Sequence, residues 1–181
     1  GVYGVAYKVM ENLTFFPAML AGLILPILSR NIFTRREKFV EIADTTFRVF
    51  FIIVFPLVIG GAFLSSDIIS IVSGSGFEEA VPVLEILMLS LAFIFFGHYF
   101  NMILIVGNLQ KKLMKLLFFV AIFNISMNIF LISKYSFIGA AMTALMTECL
   151  VAVSTGILVY RFLGYRPAFG KLFRAFALAS L

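Results

Sequence analysis

Residues Gly76–Glu148 read GFEEAVPVLEILMLSLAFIFFGHYFNMILIVGNLQKKLMKLLFFVAIFNISMNIFLISKYSFIGAAMTALMTE. No charged side chain occurs from Ile86 to Gln110. A basic turn, GNLQKKLMK, follows at Gly107–Lys115. A second apolar run covers Leu116–Ser133, and a short break, KYSFIGAA, lies at Lys134–Ala141. A third run continues to Tyr160. Each run is about 20 residues or longer, enough for a helix to cross a hydrocarbon core of about 30 Å. The breaks are too short for anything but turns. The stretch therefore predicts a membrane-embedded helical hairpin with one further span.

Composition carries the same reading to the whole chain. Of 181 residues, 62% are hydrophobic and 13% charged, and the mean hydropathy is +1.11. Soluble domains are about 45–50% apolar and about 25% charged. Twenty-three Phe and no Trp suit lipid-facing helices, with Tyr left to supply any interfacial belt. Cys149 is the single cysteine, which excludes an internal disulfide framework or a thiolate metal site. The net charge of +5 gathers in loops between spans. That is the positive-inside pattern and not a nucleic-acid patch, so no nucleic-acid partner is expected. The chain begins without Met or a signal-peptide n-region and ends inside an apolar run, so it reads as a piece of a longer membrane protein.

Outward from the central stretch, five full spans and a truncated sixth are predicted. Segment A covers about Val2–Leu28, with Pro17 as a kink and Pro26 as an end signal. A basic loop follows at Ser29–Arg36, then a short mixed-charge surface helix at Lys38–Asp44. Segment B is Phe47–Leu64, with Pro56 near its middle. Ser65–Ala80 is an acidic loop that can hold a short interfacial helix ending at Gly74 or Gly76. Segment C is Val81–Val106, with Pro82 in its first turn. Segments D and E are Leu113–Ile132 and Phe137–Tyr160, and a truncated segment F starts near Leu172.

Charge orients these spans. Arg30, Arg35, Arg36, Lys38 and Arg48 lie in or beside the A–B loop. Lys111, Lys112 and Lys115 lie in or beside the C–D loop, and Arg161, Arg166, Lys171 and Arg174 in or beside the E–F loop. These are twelve of the fourteen basic residues, and they place loops 29–47, 107–115 and 161–171 in the cytoplasm.

Polar groups inside spans are the candidates for function, because they are costly there. Lys8 and Glu11 sit one helical turn apart, and can pair, with Asn12 beside them. They read either as a cavity charge for an anionic substrate or as an interfacial pair. Glu148, with Thr143, Thr147 and Thr155 nearby, reads as a coupling carboxyl or an interhelical hydrogen bond. Asn124 and Asn128 share one face of D, as do His98 and Asn101 of C; both pairs suit interhelical bonding. No phosphate loop, metal-ligand cluster or nucleophile–base pair occurs, so neither an enzyme nor a cofactor is expected.

Three blocks carry a family resemblance: GVYGVAYKVMENLTFFPAMLAGLILPILSR, GSGFEEAVPVLEIL, and NLQKKLMK with NISMNIFLISKYSFIGAAMTALMTE. Their order and spacing resemble the oligosaccharide flippases of the multidrug/oligosaccharidyl-lipid/polysaccharide exporter superfamily. The resemblance spans nearly the whole chain. It implies an all-α membrane protein of 12 to 14 helices in two pseudo-symmetric lobes. Residues 1–181 would form most of the second lobe, with about 81–160 as its polysaccharide-biosynthesis core. It implies translocation of a lipid-linked saccharide by alternating access, with the bilayer, that saccharide and the missing first lobe as partners. A multidrug or lipid II exporter of the same superfamily is the alternative. A membrane polymerase fits less well, because the longest outer loop, Ser65–Ala80, is short and acidic.

Overall fold

A computed structural model of the chain describes residues 1–74 and 76–167. Among them every regular element is a helix: α1 (Val2–Asn31), α2 (Arg36–Phe63), α3 (Ser65–Ser73), α4 (Ala80–Val106) and α5 (Gln110–Leu163). Four of these, all but α3, are long and apolar enough to cross a membrane. The truncated sixth span, from Leu172, lies outside the described residues.

Helix α5 is 54 residues long but is not one rod. Ser136, at φ 52° and ψ −129°, breaks it into limbs 110–135 and 137–163. The Asn124 amide donates to Thr147 Oγ1 at 2.9 Å. In a straight helix those residues would lie about 34 Å apart. Both are about twelve residues from Ser136, so the limbs fold back on each other there. Gly139 permits the tight return. A β-carbon on it would strike the Leu131 backbone and lie 2.9 Å from the Ile132 nitrogen. This is the expected hairpin of segments D and E, and the close neighbour of Gly139 is the preceding limb.

Helix α4 is central and packs against each of the other four described helices. It carries no amphipathic stripe because it is buried nearly all round, as a helix in the middle of a bundle must be. Val83, Leu84, Leu87, Met88, Leu91, Phe95 and Tyr99 are fully buried. Against α2 it forms an aromatic seam. Phe47 meets Tyr99 edge-on at 5.3 Å, and Phe50 meets Phe95 at 5.9 Å. Such edge contacts suit the ring quadrupoles. The outward faces of α1 and of the first α5 limb carry exposed Phe15, Leu23, Phe118, Phe119 and Ile129. Apolar groups facing outward at this density suit hydrocarbon, not water.

Two boundaries differ from the sequence expectation. The proposed surface helix Lys38–Asp44 is the first part of α2, because Phe39, Ala43 and Phe47 share one fully buried face that continues into the span. Pro26 does not end α1, which runs on to Asn31. A proline removes one donor but leaves the helix intact where the freed carbonyl is otherwise accommodated. The short helix before segment C is α3, and it ends at Gly74 with φ 73°, a left-handed value that glycine takes without strain.

The basic ends meet. Arg36 of α2 donates to the Leu163 carbonyl at the end of α5. Lys112, at the start of α5, sits 3.9 Å from the Phe162 ring centroid. The Ser136 turn and α3 lie at the opposite ends of their helices.

Candidate functional site: a polar cavity between α1, α4 and α5

Four helical faces enclose a cavity of about 430 Å³. Helix α1 contributes Tyr3, Tyr7, Met10 and Thr14, and α4 contributes Ser90, Ile94, Gly97, His98 and Asn101. The first limb of α5 adds Asn124 and Asn128, and the second adds Ala140, Ala144, Thr147, Glu148 and Val151. Each set recurs every three or four residues, so each is one stripe of its helix. The α1, α4 and second-limb stripes each extend eleven residues, about 16 Å along the axis. The cavity is thus elongated along the bundle.

Small residues make the room. Gly97 of α4 faces Val151, and Ala140 and Ala144 line the wall from the second limb. The polar groups of the two α5 limbs then meet. Asn128 Nδ2 donates to Asn124 Oδ1 at 3.0 Å, and Asn124 Nδ2 donates to Thr147 Oγ1 at 2.9 Å. This chain bridges the two limbs of α5, the interhelical use expected of the asparagines. Thr143 and Thr155 instead donate to carbonyls of their own helix, Gly139 at 2.9 Å and Val151 at 2.7 Å. Only Thr147 of the three threonines around Glu148 serves the cavity.

Asn101 Oδ1 is a buried acceptor with no partner among the described residues. A buried acceptor left unpaired costs about 1–3 kcal/mol. Neither His98 nor Glu148 makes a side-chain hydrogen bond to another described residue, so donors and acceptors remain free on the wall. Among the described residues that line the cavity there is no Lys or Arg. At one end the Tyr3 and Tyr7 rings stack at 5.7 Å and offer an aromatic surface.

His98, Asn101, Asn124, Asn128 and Glu148 are therefore brought to one cavity. Lys8, Glu11 and Asn12 are not. All three are exposed on another face of α1, and Asn12 donates to the Lys8 carbonyl at 2.9 Å. No ion pair joins Lys8 to Glu11. Tyr3 and Tyr7 were missed by sequence reasoning, although their i, i+4 spacing on a polar-ended helix was visible.

A second polar cluster, also missed, lies at the basic end. Tyr165 donates to Asp44 Oδ1 at 2.7 Å, and its oxygen lies 2.7 Å from the Tyr99 hydroxyl. Tyr99 also reaches the Ala43 carbonyl at 3.0 Å. Burial pushes the Tyr165 hydroxyl well above its ordinary value, and its bond to Asp44 adds to that while its bond to Tyr99 opposes it. The cluster fastens the segment after α5 to α2 and α4. Among the described residues no group of His, Cys, Asp and Glu could hold a metal ion.

The chain matches no protein-family model, no curated protein and no solved structure.

Proposed function

We propose that this chain is the cavity-bearing part of a membrane transporter, a flippase that moves a lipid-linked saccharide outward by alternating access of two lobes. The observation that supports it is the elongated polar cavity inside a bundle whose outer faces are apolar. Polar groups buried at membrane depth mark solute pathways by default. Amides, hydroxyls and an imidazole both donate and accept, which suits a polyhydroxylated solute, and the Tyr3–Tyr7 pair offers a face for sugar C–H groups. Lys8 has no part in this cavity, so the reading assigns it no contact with the saccharide.

The test is outward transport of the lipid-linked saccharide by the complete protein in cells. His98→Ala and Asn101→Ala are each expected to lower transport about tenfold, the equivalent of about 1.4 kcal/mol of lost contact, at unchanged membrane abundance. Unchanged transport in both variants would defeat the reading.

A further inference from the structure

Two apolar hollows lie on another side of the bundle, between α4 and the second limb of α5. One, of about 590 Å³, is lined by Leu89, Phe93, Phe123, Met146, Cys149 and Val153 among others. The next, of about 440 Å³, runs past Phe93, Phe96, Phe100, Ala152, Val153 and Gly156 to Tyr160, Tyr165 and Arg166. Phe93 and Val153 border both, so the hollows form one lane.

The lane has a length and a polarity. On α4 it reaches from Leu89 to Phe100, eleven residues or about 16 Å, close to half of a hydrocarbon core of about 30 Å. It begins near the middle of α4 and ends at the basic end of the bundle. Its walls are apolar throughout except at that end. There the Arg166 guanidinium lies 4.0 Å from the Tyr160 ring centroid and donates to the Tyr160 hydroxyl. Among the described residues no carboxylate pairs with Arg166, so its charge is available to an anion. The open side is bordered by exposed Leu89, Met146, Val153 and Ile157.

We propose that this lane binds an anionic phospholipid of the inner leaflet, its phosphate at Arg166 and one acyl chain along Phe93 and Val153. The depth of one leaflet fits a lipid tail and not a spanning helix, which would need a groove twice as long. A phosphate fits Arg166 because a guanidinium binds it through paired N–H donors. Near a membrane surface such a residue also draws anionic over zwitterionic lipids. Gly156 admits the Phe100 ring, which a β-carbon there would meet at 3.3 Å, and so lets that ring form part of the wall of the lane. The site lies on different stripes of α4 and α5 from the polar cavity, and it is independent of what that cavity transports.

Native mass spectrometry of the full protein tests this, using detergent micelles holding equal amounts of phosphatidylglycerol and phosphatidylcholine and no saccharide. The expected result is retained phosphatidylglycerol at a several-fold preference. Arg166→Gln should erase the preference and Arg166→Lys should keep most of it. Val153→Trp, which fills the lane and leaves Arg166 in place, should lower retention of both lipids. Equal retention of the two lipids by the unaltered protein overturns the proposal, as does an undiminished preference in Arg166→Gln. No retained lipid at all, the outcome if other protein fills the lane, overturns it as well.

Discussion

Ser136 and Gly139 show how few atoms decide the return of a helical hairpin. Ser136 holds φ 52°, a left-handed value that costs a residue with a β-carbon about 1–3 kcal/mol, and glycine far less. Three residues on, Gly139 has no room for a β-carbon against the Leu131 backbone. The two positions therefore predict opposite effects. Ser136→Gly should raise the melting temperature of the detergent-solubilised full protein. Gly139→Ala should lower it, by an overpacking cost of about 1–3 kcal/mol, because backbone cannot swing aside as a side-chain tip can. Melting that moves the other way in either variant would show that the limbs do not meet there.

Between elements, the Tyr165 cluster is the contact to probe. It joins residues 121 positions apart and holds the end of α5 onto α2. Tyr165→Phe removes the donor to Asp44, and hydrogen bonds to charged groups contribute about 1.5–3 kcal/mol. Asp44→Asn keeps an acceptor and should cost less, as thermal melting of the full protein would report. The pH dependence has a definite sign. Burial raises the Tyr165 hydroxyl above its usual 10.0, so the folded state holds that proton more tightly than the unfolded chain does. The contribution is complete below pH 10 and is lost as pH rises further. Tyr165→Phe should flatten that alkaline decline, and an identical decline in the variant would place its origin elsewhere. In a bilayer, contacts between these helices would rest on close packing and polar bonds, because lipid is as apolar as the helix faces themselves.

For the whole molecule, the gathered basic ends set the orientation. Arg36, Lys112 and Arg166 sit at one end of the bundle, and Glu78 and Glu79 precede α4 at the other. If the basic end faces the cytoplasm, as the positive-inside rule requires, Glu78→Cys should react with an impermeant thiol reagent added to intact cells. Gln110→Cys, at the start of α5, should react only after the membrane is opened. Reversed labelling would invert the bundle, and with it the leaflet assigned to the Arg166 lane.

The sequence by itself determined the long apolar helices of the described residues and their order. Apolar runs of about 20 residues have one stable form where water is absent, and charge marks the gaps between them. It determined too that His98 shares a face with Asn101, and Asn124 with Asn128, since helical period fixes what lies on one stripe. Only the tertiary structure decided which stripes face each other. An α4 that is apolar almost all round carries no signal for the helix on each side, so the meeting of α1, α4 and both α5 limbs around one cavity could not be read from periodicity. The same lack of signal left open which way Lys8 turns, since its exposure depends on how α1 is rotated about its own axis. Tyr165 and Asp44 were hidden for a different reason: a contact across 121 residues leaves no local pattern, and only packing brings the two together.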